Sequence, residues 1–423
     1  MNVIFLTMSN MHGVENRGIY ADLMRKFRNE GHRLYIVAPR ERWTGEQTSL
    51  QEVDGVQVLG VRTLNLQKTN VIEKGAGQVL VESQFKSAIK KYLDGVKFDL
   101  ILYSTPPITL MGAVKYLKKL NPQARTYLLL KDIFPQNAVD LGMMPGASFK
   151  FQVSSVKSWV DLGKYQLYKM FRKKEKRLYA LSDYIGCMSP ANVQYVIEHN
   201  PEVNPAKVEV CPNSLELGME LSAEEERARD YTEREYMCSK YNLPKDLPLF
   251  IYGGNLGRPQ GIDYLMKCLD ANKERKDCYF IVVGNGTEYE KLAAWYHENR
   301  NSNVSLMARL PKDDYDMLVR ACDVGLIFLD HRFTIPNYPS RLLPYLESKK
   351  PVICATDNHT DIGKIAEENG YGYWCESVKP EDFTALVDKM LQSDRKVMGE
   401  KGYEFMKKNY TVVNTYSVIK NHV

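Results

Sequence analysis

Two consecutive α/β domains, each an open doubly wound parallel sheet and with a cleft between them, are what this 423-residue sequence predicts. Three observations carry the prediction. Short apolar runs alternate with amphipathic stretches along nearly the whole chain, the pattern of crossover units in mostly parallel sheets. The length exceeds what a single core organises. In the second half a glycine-rich turn, "YGGNLGRPQGID" (252–263), directly follows an apolar run, as strand-to-helix loops that approach a ligand do.

Taken in order, "NVIFLTM" reads as the first strand, because its apolar residues are too few for a buried helix. A helix over 16–30 follows, stopped by Gly31, and then the strand "HRLYIVAP". "VQVLGVRT", a helix through 75–94, the strand "FDLILYSTPP", a helix over 108–120 and the strand "ARTYLLLKDIFP" continue the alternation. A basic helix over 163–181 precedes two strand-like runs, "SDYIGCMSP" and "KVEVCPNS". An acidic, highly charged helix near 222–240 opens the second half. There the strands "LPLFIYGGN", "CYFIVVGNG", "VSLMARLP", "DVGLIFLD", "PVICATD" and "GYGYWCE" alternate with helices at 260–273, 287–300, 312–321, 340–349 and 361–368. Helical residues 381–408 close it. The expected division is 1–212, 213–400 and a C-terminal helical tail, 401–423, able to cross back onto the first domain.

Composition narrows the class. With 44% hydrophobic and 26% charged residues, the chain is neither disordered nor membrane-spanning. No stretch approaches the ~20 apolar residues that cross a bilayer. The opening "MNVIFLTMSNMHG" lacks a basic start and a long apolar core, so a cytoplasmic location is expected. The eight cysteines sit singly, with no CxxC pair or clustered histidines, and read as free buried or half-buried thiols rather than zinc ligands. A net charge of +5 is too mild to argue for nucleic acid.

Ligands of open parallel sheets sit at the carboxyl ends of the strands. Four second-half loops occupy that edge: "GGNLGRPQG", "GNGTE", "RLPKDD" and "RFTIPNYPSRLLPYLE". No lysine followed by Ser or Thr completes an ATPase-type phosphate loop, and "TMSNMHG" after the first strand is no GxGxxG. The glycines of the first two loops are equally explained by tight turns. In the fourth, Ser340 falls where a helix would start, so Ser340 and Arg341 would present amides and a guanidinium together. That suits a diphosphate, with Arg258 converging on it. The plainer alternative is a capping serine and a solvated arginine.

These segments, in this order, resemble a retaining glycosyltransferase of family 4 with the GT-B fold, from the branch that builds bacterial capsule, O-antigen or exopolysaccharide. The resemblance rests on "YGGNLGRPQGID", "VVGNGTEYEKL", "LPKDDYDMLVRACDVGLIFL", "NYPSRLLPYLESKKPV", "EGHRLYIVAP" and "KDIFPQNAVDLG", and covers nearly the whole chain. It implies a nucleotide-sugar site made of Gly254, Asn255, Arg258, Gln260, Gly284, Gly286, Leu310, Pro311, Ser340, Arg341 and Glu347. Asn16 and Arg17 fall on its acceptor-side loop, and Asp132, before Phe134 and Pro135, on a segment that would orient the acceptor hydroxyl or take its proton. Asp132 as a simple helix cap is the alternative. The chain also departs from the family. Asn255 and Gln260 stand where that family has its basic pair, and Pro336 and Pro344 stand where it has two glutamates. Glu347, one helical turn past Pro344, is the carboxylate left for the ribose.

Between Phe149 and Arg177 nine basic residues stand against Asp161 and Glu175, interleaved with aromatic side chains. Such a segment suits an anionic membrane surface, or else forms an ordinary solvated helix. The function implied is transfer of a sugar from a nucleoside diphosphate, taken as UDP, to a lipid-linked saccharide at the inner membrane face. No cofactor and no metal are expected. A nucleotide-sugar epimerase of the same fold, or a nucleotide-sugar-binding partner without catalysis, are the alternatives.

Overall fold

The computed structural model describes residues 1–65, 71–105, 110–147, 156–218, 220–299 and 302–423. The chain divides into two units, Met1–Glu216 with Thr411–Val423, and Leu217–Tyr410.

Among the described residues the first unit holds eight strands: β1 (Asn2–Leu6), β2 (Arg33–Glu41), β3 (Ser49–Val53), β4 (Val56–Thr63), β5 (Leu100–Ser104), β6 (Arg125–Leu130), β7 (Tyr184–Cys187) and β8 (Val208–Val210). Their order is β3-β4-β2-β1-β5-β6-β7-β8. Its helices are α1 (Ile19–Asn29), α2 (Val71–Tyr92), α3 (Met111–Leu120), α4 (Gln136–Asp140), α5 (Val156–Leu181) and α6 (Pro190–His199). Alternate residues of the central strands feed two cores. Ile4, Leu6, Ile101 and Tyr103 join one, while Val3, Phe5, Leu100 and Leu102 join the other. That two-sided burial is why these strands read as unbroken apolar runs.

Besides the short helix α4, two elements stand where the sequence expectation has none. β3 pairs antiparallel with β4 through Asp54 and Gly55, both at positive φ (54° and 72°), so the sheet carries an antiparallel edge. An Asp-Gly pair is the tight-hairpin signal that the helix–strand alternation masked. α6 is a short helix capped by Ser189 between β7 and β8.

The second unit contains α7 (Ala223–Tyr241), β9 (Leu249–Asn255), α8 (Ile262–Ala271), β10 (Tyr279–Asn285), α9 (Tyr289–Asn299), β11 (Val304–Met307), α10 (Lys312–Ala321) and β12 (Val324–Phe328). These are followed by α11 (Leu342–Glu347), β13 (Val352–Thr356), α12 (Ile362–Glu368), β14 (Gly372–Glu376), α13 (Pro380–Gln392) and α14 (Arg395–Asn409). Among the described residues its six strands are all parallel, in the order β11-β10-β9-β12-β13-β14. The helical stretch 381–408 is two helices, broken at Ser393 where Asp394 caps the next by accepting from the Val397 amide at 3.0 Å.

α14 runs through the expected boundary at 400/401, so the second unit extends to Tyr410. Only then does the chain return to the first unit, as α15 (Val412–Lys420). There Tyr416 packs edge-on against Phe27 of α1, with ring centroids 4.8 Å apart, and its hydroxyl meets His32 Nε2 at 2.9 Å. The Val412 amide also donates to Leu215 O at 3.1 Å. The tail is therefore part of the first core.

In each sheet the strand order reverses beside one central strand: β1 lies between β2 and β5, and β9 between β10 and β12. Loops on either side of a reversal diverge and leave a recess at the carboxyl edge.

Candidate active site

In the second unit, β9 pairs with β12 only at Phe250 and Ile251, and beyond them the two strands part. A tyrosine hydroxyl stabilises the split. Tyr345 of α11 accepts from the Gly253 amide at 3.1 Å and donates to Ile251 O at 3.1 Å, both fully inside the core. Its ring fits because residue 325 is glycine. A Cβ there would lie 2.4 Å from that ring. Tyr345→Phe is expected to cost ~1–3 kcal/mol, the penalty for leaving a buried backbone group unsatisfied. Urea denaturation measures it, and an unchanged midpoint would mean that the split is held otherwise.

The loops that follow β9 and β12 carry most of the residues expected for the nucleotide sugar. Arg341 lies with its guanidinium carbon 4.3 Å from the Tyr252 ring centroid. Its Nη2 donates to Asn255 O at 3.4 Å, a long bond, and its Nη1 is buried without a hydrogen-bond partner. A buried donor left open is costly unless something accepts from it. Gly254 sits beside this group at φ 118°, where a side chain would be strained and would meet the guanidinium at 3.8 Å. Arg341, Gly254 and Asn255 are thus brought together.

Other candidates have local duties. Gln260 Oε1 accepts from Asn255 Nδ2 at 2.9 Å and from the Gly257 amide at 3.1 Å, closing the loop on itself. Gly284 and Gly286 are required sterically, because a Cβ would fall 1.9 Å from Gly254 O and 2.3 Å from Leu256 O. They let the two loops touch. Arg258 is 59% exposed and faces Glu288 at 3.5 Å, so its resting partner is that carboxylate and not a site shared with Arg341. Leu310 and Pro311 precede α10, with Pro311 at its cap position. Ser340 does not cap α11. That place falls to Arg341, and the helix is a short one beginning at Leu342. Glu347 ends α11, where its charge acts on Tyr403 of α14.

Two features of this edge escaped the sequence reading. The rings of Tyr252 and Tyr345 carry no motif, since only the fold shows that they hold the arginine and the strand split. Asp357, just past β13, is completely buried. Its Oδ1 accepts from the His359 and Thr360 amides at 2.9 Å each, while Oδ2 has no partner, and burial pushes the carboxyl up to about 6. An acidic residue closing an apolar strand was its one sequence signal.

In the first unit Asp132 lies two residues past the end of β6, at the carboxyl edge. The Asn137 side-chain amide donates to both of its oxygens, at 3.0 and 3.1 Å. Desolvation raises its carboxyl to about 6 against these bonds. Pro135 occupies the cap position of α4, so Asp132 is not a helix cap. Asn16 and Arg17 are exposed in the loop after β1. Arg17 Nη2 donates to Glu216 O at 3.3 Å, and the loop is fixed by Asp54, which accepts from the Val14 amide at 3.0 Å.

All eight cysteines are buried free thiols. Among the described residues no three His, Cys, Asp or Glu side chains gather as metal ligands, and no helix is long and apolar enough to cross a membrane.

Comparison with known proteins fits this geometry. Residues 233–405 match the family described as glycosyl transferases group 1. "Probable glycosyltransferase WbjE" of Pseudomonas aeruginosa is 22% identical over 346 residues, covering 81% of this chain and 78% of that protein. "Putative colanic acid biosynthesis glycosyl transferase WcaI" of Escherichia coli K12 is 22% identical over 155 residues, 37% of each chain. The solved structure of Anabaena Alr3699/HepE in complex with UDP-glucose superposes with a TM-score of 0.66 at 12% identity, covering 100% of this chain and 99% of that one. Two doubly wound domains of this kind make the GT-B fold, and the protein is a glycosyltransferase. The match to the group 1 family falls within its second unit.

Proposed function

We propose that the protein transfers a sugar from a nucleoside diphosphate, UDP, to a lipid-linked saccharide during synthesis of a bacterial surface polysaccharide. The observation that carries this reading is the Arg341 guanidinium at the β9/β12 reversal, held by Tyr252 with a buried donor open. A diphosphate oxygen accepts that donor, and the positive charge stabilises the leaving group as the glycosidic bond breaks. UDP-glucose in the Anabaena structure supports the choice of nucleotide, and the name of the Escherichia coli relative supports a polysaccharide product.

On the acceptor side, Asp132 orients the incoming hydroxyl or takes its proton, and the hydroxyl attacks on the face from which the diphosphate departs. The anomeric configuration is thereby retained. No metal is needed in this scheme, because Arg341 and the neighbouring loop carry the developing charge. The basic segment 149–177 keeps the enzyme at the inner face of the membrane, where a lipid-linked acceptor resides. Residues 149–155 of that segment lie outside the described residues.

Incubation of the purified protein with a panel of nucleotide sugars and a membrane lipid extract tests the reading. The expected result is UDP release that requires the extract, with a product whose anomeric proton coupling matches that of the donor. Release without acceptor, interconversion of the donor sugar, or an inverted product would each overturn part of it.

A further inference from the structure

One face of α5 has no role in the chemistry above. Lys169, Lys173 and Arg177, four residues apart, line a groove of about 590 Å³ together with Tyr165, Lys176 and Glu202. Like charges spaced by four residues on a helix repel, so this stripe disfavours the helix unless an anion offsets it. Three other cations of the helix are matched. Arg172 pairs with Glu175 at 2.5 Å, Lys174 with Glu82 at 3.5 Å and Lys176 with Glu202 at 2.9 Å. Among the described residues Lys169, Lys173 and Arg177 have no carboxylate within ion-pair distance. Lys169 instead lies 5.1 Å from the centre of the Tyr165 ring, which stacks on Tyr168.

We propose that this groove is a discrete seat for the phosphate of an anionic lipid headgroup. The inference rests on the membrane-facing reading above and deepens it: the contact is a site, not a diffuse field. Three unmatched cations around one hollow fit a phosphate better than a flat charged plane does. The choice of a lipid over a soluble phosphate comes from the shoulder of the groove. Met170, three residues before Lys173 and seven before Arg177, is 39% exposed on their side of the helix, and the Tyr165 and Tyr168 rings line the groove, an apolar border of the kind that meets acyl chains beneath a headgroup. Lys174 turns away to Glu82, so the segment's net charge overstates what one surface can touch.

The test is co-sedimentation with phosphatidylcholine vesicles, with and without a minority of phosphatidylglycerol. Three proteins are compared: wild type, Lys169→Gln/Lys173→Gln/Arg177→Gln, and a control losing three exposed lysines of α2 and α3 (Lys90→Gln/Lys115→Gln/Lys119→Gln). Wild type and control are expected to sediment equally with the anionic vesicles, and the groove variant to lose roughly a hundred-fold in partitioning. Inorganic diphosphate should release the wild type more effectively than chloride at the same ionic strength. An equal loss in the control, or release by chloride as good as by diphosphate, would overturn the seat while leaving the membrane reading in place. A wild type that stays in solution with both vesicles would overturn both. A thermal unfolding midpoint of the groove variant at or above that of wild type establishes that it is folded.

Discussion

Arg341→Ala is expected to weaken UDP binding by roughly ten- to hundred-fold, the largest loss from any single residue of the donor side. A charge-assisted hydrogen bond contributes ~1.5–3 kcal/mol, and each 1.4 kcal/mol is a factor of ten in affinity. Arg341 should deliver the upper part of that range because it is already ordered. Its guanidinium is braced 4.3 Å from the Tyr252 ring centroid, so little side-chain entropy is lost on binding. Arg258→Ala should do less, about three-fold or under, since that side chain is mostly exposed and must leave Glu288 to reach a phosphate. Arg341→Lys should not restore affinity, because a point charge can neither stack as the planar group does nor present two donors in a fork. Calorimetric titration with UDP reads all three variants. Equal affinity in wild type and Arg341→Ala would place the phosphates elsewhere.

The contrast between the two arginines shows how far the sequence alone reaches. Strand–helix alternation gives both parallel sheets, because buried strands are apolar on both faces and their helices on one. It missed β3, whose outer residues are exposed and whose only mark is the Asp54-Gly55 turn. Motif spacing placed Gly254, Asn255 and Arg341 at one edge, and the fold brings them together. It could not separate a glycine that approaches a ligand from one that approaches another loop. Gly284 and Gly286 are of the second kind, which only their distances to Gly254 O and Leu256 O show. Nor could it see that Tyr345 holds β9 and β12 apart, since an interior hydroxyl has no pattern in one dimension.

Asp132→Asn is expected to lower turnover by ~10²–10⁴-fold while making the protein more stable, and the opposite signs make the test sharp. Burial raises this carboxyl to about 6 in the folded protein, against an ordinary value of 3.8. The folded state therefore binds the proton more tightly than the unfolded state. Between those two values stability falls as pH rises, and above about 6 the penalty is fully present. A neutral asparagine avoids it, so at neutral pH the variant should gain roughly 1–3 kcal/mol, a gain that disappears near pH 4. The Asn137 amide can still donate to the new side-chain carbonyl, so the local geometry has a means of surviving. Chemistry goes the other way. A general base must be ionised, so wild-type activity should decline as pH drops below about 6, and the variant has no base at any pH. UDP affinity, set in the other unit, should not change. Urea denaturation at two pH values and a turnover assay decide the matter. An aspartate kept for structure would lose stability on substitution and retain its turnover, and that result would remove Asp132 from the mechanism.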